Sequence, residues 1–236
     1  MKISVVIPAH NEERVIGDVI RALLKQDHSD FEIIVVDNAS SDRTSEIARE
    51  FPIKVVHEPK KGLLHARERG RIEAAGEIIA NIDADCLPEP DWLSIGASHF
   101  IENTTAAVTG PYDYHDAEFL FRHSSLLTQK YIYRLVSETV QLPFVRKGAM
   151  LIGGNNFIRT SVLEKSGGYN TALTFYGEDT DTAKRVSKHG KIVFNPKLIM
   201  KTSARRFKND GVLATEGKYI FHFLKQTFKK PNSVSN

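Results

Sequence analysis

"KISVVIPAHNEERVIGDVIRALL", residues 2–24, holds two periods in succession. From Ile3 to Pro8 every residue but Ser4 is apolar, as in a strand buried on both faces. From Val15 the spacing changes. Val15, Ile16, Val19, Ile20, Leu23 and Leu24 fall on one side of a helix. Asn11 is expected to cap that helix, with Glu12 and Glu13 in its first turn. A strand followed by a helix with no turn back implies a parallel partner strand and a crossover.

The same alternation continues outward. "FEIIVVDN" (31–38), "IKVVHEP" (53–59) and "EIIANIDAD" (77–85) read as strands, with helices over 41–51 and 63–75 between them. Such an order predicts an α/β fold with a mostly parallel sheet and right-handed crossovers. Ligands of open α/β sheets bind outside the carboxyl ends of the strands. There the chain delivers His10, Asn11 and Glu12, then Asp37 and Asn38, then Asp83 and Asp85. Beyond Trp92 the alternation weakens. "AAVTGPYDY" (106–114) reads as one strand, 119–145 as containing a long helix, and "GAMLIGGNNFIR" (148–159) as a strand interrupted by glycine and asparagine. A short helix over "TSVLEK", a helix from Glu178 to Lys188, the strand "KIVFNP" (191–196) and a basic amphipathic helix over 212–229 follow.

Composition narrows the function. The chain has 236 residues, 41% of them hydrophobic and 26% charged, with a formal charge of +3. That balance is ordinary for a globular protein and too weakly basic for a nucleic-acid binder. The cations gather in short clusters, at Lys60–Lys61, Arg205–Lys208 and Lys218–Lys230, which suit a phosphate or a membrane surface. Cys86 is the single cysteine, so no internal disulfide forms and no zinc spacing exists. No signal peptide and no membrane span is read, so a cytoplasmic protein is expected, at most peripheral on the inner membrane face. No repeat or linker divides the chain. One domain is expected over 1–230, with a donor-binding half (1–100), an acceptor-binding half (101–210), a C-terminal helix (211–230) and a tail (231–236).

Asp83 and Asp85 are two carboxylates on one side of an ending strand. Asp commonly caps such turns. Two like charges this close also repel unless a cation neutralises them, and Mg²⁺ or Mn²⁺ holding a diphosphate would do so.

"VVIPAHNEE", "IIVVDNASSDRT", "KKGLLHARERG", "GEIIANIDADC", "GGNNFIR", "GGYN" and "GEDTD" occur in this order over residues 5–181. Together they resemble the family 2 inverting glycosyltransferases of GT-A fold. The resemblance implies a nucleotide-sugar donor, most often a UDP-sugar, and a saccharide or lipid-linked acceptor. It implies donor contacts at Pro8, Ala9, Glu12, Asp37, Lys61, Arg67, Asp83 and Ala84, with Arg205 or Arg206 over the diphosphate. It places the metal at Asp85 and the general base at Asp179, with Asn155, Asn156 and Glu178 on the acceptor side. Two departures stand out. Glu68 follows Arg67 where the family pattern often has Asn, and no histidine metal ligand lies between Asn195 and Lys208.

Asp181 and Arg185 read as an ordinary helical ion pair. The helix over 119–145 reads as packing over the sheet, with a lid, a dimer surface and a lipid-facing role as alternatives. Residues 212–229 suit an anionic membrane surface and their own domain equally. Two other functions remain at this point: a sugar nucleotidyltransferase, which would carry a glycine-rich basic loop where this chain has "PAHNEE", and a silent nucleotide-sugar-binding scaffold.

Overall fold

The computed structural model describes residues 1–141, 150–173 and 177–228. Its centre is a seven-stranded sheet. Strands β1 (Ile3–Ala9), β2 (Phe31–Asp37), β3 (Lys54–His57) and β4 (Ile78–Ile82) pair in parallel in the order β3-β2-β1-β4. Helices α1 (Ile16–Leu23), α2 (Thr44–Arg49) and α3 (Leu63–Glu73) connect them. The apolar run of β1 divides by parity, as a pleated strand must. Ile3, Val5 and Ile7 join the core under α1 and Trp92, while Val6 faces Leu64 and Ala66 of α3.

The second half is less regular than expected. β6 (Thr105–Thr109) lies two places beyond β4, and β8 (Asn155–Arg159) inserts antiparallel between them. The helix α4 (Trp92–Ser98) precedes β6, α7 (Thr160–Lys165) and α8 (Glu178–Val186) follow β8, and β9 (Lys191–Phe194) closes the edge parallel to β6. The stretch read as one strand breaks at Gly110–Pro111. Its second part, β7 (Tyr112–Tyr114), joins β5 (Cys86–Pro88) and β10 (Met200–Thr202) in a separate three-stranded sheet. α9 (Arg205–Asp210) and α10 (Val212–Phe228) end the described chain.

Three local readings are corrected. Asn11 does not cap α1, which begins at Ile16. Its amide oxygen accepts from the Ser41 N–H at 2.8 Å and its own N–H donates to Ser40 Oγ, so it ties two strand-end loops together with φ at 55°. The long helix, α5 (Phe119–Thr128) running through a π-helical turn at 129–133 into α6 (Arg134–Val140), does not bury its apolar side. Leu120 is 79% and Tyr131 69% exposed. Its anchor is Gln129, buried at the π turn, whose amide both donates to the Tyr112 carbonyl and accepts from the Tyr112 N–H. Finally, α2 is shorter than read, because Asp42 and Thr44 hold the preceding residues in a turn. Residues 142–145 and 229–236, parts of the expected helices and tail, lie outside the described residues. Among the described residues no helix is long and apolar enough to cross a membrane.

Candidate active site

The carboxyl ends of β1, β2 and β4 lie side by side, with Ala9 level with Asp37 and Asp37 level with His57. Pro8, Ala9 and Ala84 form a buried floor there. Asp37 is buried and accepts from the Ser40 N–H (3.2 Å) and from His57 Nδ1 (3.1 Å). Beside it, Asn38 donates to the carbonyls of Glu58 and Lys60 and accepts from the Gly62 N–H. That amide fixes the loop carrying Lys61, which is exposed.

Glu12 faces Arg205 of α9, with Nη2 2.9 Å from Oε1. The same guanidinium lies 3.5 Å from Asp85. Burial, the Asp83 charge and the Glu12 charge push the Asp85 carboxyl up to about 6, with Arg205 opposing them. A hard oxygen donor crowded by two other acids suits a divalent cation. Among the described residues no three His, Cys, Asp or Glu side chains converge as a metal cage. The residues present therefore fit an ion held by one carboxylate and completed by phosphate and water oxygens. Asp83, Asp85, Arg205 and Arg206 line one cavity of about 310 Å³ between the strand ends and α9–α10. There Arg206 donates to the Tyr219 hydroxyl at 2.5 Å.

Arg67, expected at the nucleotide, bridges two of the predicted acids. Its guanidinium, on a residue only 3% exposed, donates to Asp83 Oδ1 at 3.2 Å and to Asp179 Oδ1 at 3.1 Å. Burial alone would lower the Arg67 pKa, but the two carboxylates outweigh it and hold the cation charged. Asp179 reaches this bond from the first turn of α8, where its carboxylate also accepts from the Gly153 N–H. A Cβ on Gly153 would lie 2.6 Å from Asp179 Oδ1 and 2.7 Å from an Arg67 nitrogen, so only glycine lets the chain pass so closely. Burial and the Asp83 charge push Asp179 above the usual carboxylate range, with Arg67 opposing them. The buried neighbour Glu178 is pushed up to about 8 by burial and then by Asp179.

Two residues expected on the acceptor side lie inside the fold. Asn155 and Asn156 are almost wholly buried and their amides serve the fold. Asn155 donates to the carbonyls of Pro111 and Leu198 and accepts from Trp92 Nε1. Asn156 donates to the carbonyls of Ile152 and Gly153 and accepts from Asn81. The Asn156 bonds shape the turn that presents Gly153. Tyr112 was read only as a strand residue. Its hydroxyl donates to Asp83 Oδ2 at 3.3 Å and accepts from the Gly154 N–H, so it braces the same cluster. The Gly-Pro break before it was the one signal of its departure from the main sheet. Burial pushes the Cys86 thiol well above its ordinary range, which suits an unreactive core residue.

The sequence pattern of the glycosyl transferase family 2 matches residues 4–167, well over half of the chain. This chain belongs to that family. The family member is 30% identical over 196 residues to the glycosyltransferase AglE of Haloferax volcanii, covering 80% of this chain and 62% of AglE. To the probable glycosyltransferase YdaM of Bacillus subtilis it is 34% identical over 212 residues, covering 80% of this chain and 47% of YdaM. It thus spans about half to three fifths of the curated relatives' length. Its fold is that of the GT-A glycosyltransferases. The mannosyltransferase PcManGT of Pyrobaculum calidifontis, in complex with GDP-Man and Mn²⁺, superposes with TM-score 0.74 at 22% identity, covering 97% of this chain and 64% of that one. Glucosyl-3-phosphoglycerate synthase of Mycobacterium tuberculosis, with Mn²⁺, UDP and phosphoglyceric acid, gives 0.66 at 20% identity, covering 96% and 78%.

Proposed function

We propose that this family 2 glycosyltransferase moves a sugar from a nucleotide-sugar, most readily a UDP-sugar, onto an acceptor hydroxyl with inversion at the anomeric carbon. The observation that carries the proposal is the Asp83–Arg67–Asp179 bridge. It sets the candidate base one guanidinium away from the acidic strand end that faces the donor.

Asp37 is the group to accept the N–H of a uracil ring, held in place by Ser40 and His57. Glu12 is the acceptor for ribose hydroxyls, and Pro8, Ala9 and Ala84 form the floor. Asp85 would hold a Mg²⁺ or Mn²⁺ ion, which when bound neutralises charge on the departing diphosphate. Arg205 and Arg206 offer guanidinium donors to the same phosphate oxygens. The support for UDP and for a divalent ion includes what relatives of the same fold hold. TarS of Staphylococcus aureus is seen with UDP-GlcNAc, and the mycobacterial synthase with UDP and Mn²⁺.

Asp179 takes the acceptor proton. The acceptor oxygen bonds to the anomeric carbon as the bond from that carbon to the diphosphate oxygen breaks. The electron pair leaves with the diphosphate. Arg67 keeps Asp179 ionised in a site whose burial favours the neutral acid. Burial and the Asp179 charge push the Glu178 carboxyl up toward its neutral form, which limits further negative charge at that site.

The test is a donor screen followed by ¹H NMR of the first product, or of the sugar released to water. The anomeric configuration is expected to be opposite to that of the donor. A retained configuration overturns the single-displacement reading.

A further inference from the structure

Glu68 stands where the family pattern often has Asn, and its carboxylate has a defined task. Oε2 accepts from the backbone N–H of Tyr169 at 2.9 Å, and both oxygens pair with Arg71 one turn along α3. Tyr169 follows the glycines of the turn that ends α7. Gly168 has a φ of +68°, and a Cβ there would lie 2.7 Å from Glu68 Oε2. The turn is thus pressed directly onto the acid.

The same turn is gripped from its other side by α8. Arg185 Nη1 donates to the carbonyls of Ser166 (2.7 Å) and Gly168 (2.6 Å), and its Nε donates to Asp181 at 2.9 Å. The Asp181–Arg185 pair is therefore more than a surface helix pair. It aims a mostly buried guanidinium at the turn. α8 carries Asp179 at its start, and α3 carries Arg67 next to Glu68. Two connections consequently join α3 to α8: the direct Arg67–Asp179 bond, and an indirect one from Glu68 through residues 166–169 to Arg185.

We propose that Glu68 is a positioning residue for glycosyl transfer: by fixing the 166–169 turn against α3 it sets the distance at which α8 presents Asp179 to Arg67. The proposal rests on Asp179 being the base. It makes Glu68 touch neither donor nor acceptor, so its loss changes the chemical step and not donor affinity. A misplacement of about 1 Å at a reacting group costs on the order of 10²-fold in rate.

The test compares Glu68→Leu, which removes the acceptor for the Tyr169 N–H, with Glu68→Gln, which keeps an amide oxygen there. Calorimetry with UDP and Mn²⁺, kcat and KM, and kcat/KM against pH are measured on each. Glu68→Leu is expected to lower kcat by about 10- to 100-fold with UDP affinity unchanged, and to move the acid limb of kcat/KM. Glu68→Gln restores most of kcat and the wild-type limb. Arg185→Gln, which releases the turn from the other side, gives the Glu68→Leu pattern and decides the matter should Glu68→Leu not fold. Wild-type kcat and acid limb in folded Glu68→Leu, or in Arg185→Gln, overturn the proposal. Asp179→Asn run alongside separates the two failures. Full turnover there removes the base itself, whereas a dead Asp179→Asn beside a fully active Glu68→Leu removes only the positioning role.

Discussion

Replacing Arg67 by Gln removes a charge that faces both Asp83 and Asp179 at hydrogen-bond distance. Breaking a buried ion pair by deleting one partner costs about 3–5 kcal/mol. Here the two carboxylates keep 36% and 32% of their side-chain surface, so water recovers part of that cost. About 2 kcal/mol of stability should be lost, or roughly 4–8 °C in Tm for a domain of this size. The chemistry should suffer separately. A hydrogen bond to a charged group is worth about 1.5–3 kcal/mol, and one pKa unit about 1.4 kcal/mol. Without Arg67 the Asp179 carboxylate loses that support, so its pKa rises. The acid limb of kcat/KM should move to higher pH by about one to two units. The assay is thermal unfolding together with kcat/KM from about pH 5 to 9, for Arg67→Gln in the wild-type and Asp179→Asn backgrounds. In the second background the catalytic loss should vanish, because the guanidinium acts through the carboxylate. An acid limb that stays in place in Arg67→Gln, or an equal loss in both backgrounds, refutes this reasoning.

Glu178 gives a stability prediction with a definite sign. Its folded pKa of about 8 lies above the ordinary value of 4.5, so between those values the folded state holds a proton that the unfolded chain has lost. Its contribution to stability is fully present below about pH 4.5 and is lost as pH rises through about 8. Glu178→Gln should therefore unfold at a higher denaturant midpoint than wild type near pH 8, with the gap closing toward pH 5; a gap that does not change with pH counts against a buried, protonated Glu178. Asp85→Asn should abolish the Mn²⁺-dependent part of UDP binding measured by calorimetry. In the wild type that part should weaken below about pH 6, where the proton competes for the carboxylate. Metal enhancement that survives Asp85→Asn would remove Asp85 as the ligand.

The parallel half of the sheet was legible because strands buried on both faces are mostly apolar, and β1, β2 and β4 are, with Ser4, Glu32, Asp37 and Asn81 as their few polar residues. The start of α1 was not. Asn11 has the chemistry of a helix cap, and only the approach of the Ser40–Ser41 loop shows that its side chain is used between loops. The burial of Asn155 and Asn156 was not legible either, since an amide that binds a sugar and an amide that satisfies buried carbonyls look identical in a sequence. The apolar residues of the helix from Phe119 to Val140 suggested burial, yet the same composition serves an exposed ridge. Asp83, Asp85 and Asp179 were legible as an ordered set of motifs. What joins them was hidden, because Arg67 and Asp179 are 112 positions apart and Glu68 acts on the backbone of a turn 101 positions away.

The most direct measurement is turnover by Asp179→Asn at saturating donor and acceptor, beside UDP affinity in the presence of Mn²⁺. A carboxylate that takes the acceptor proton predicts a fall in kcat of about 10²- to 10⁴-fold with nucleotide affinity kept. Turnover at the wild-type rate, or loss of nucleotide binding in step with activity, would contradict it.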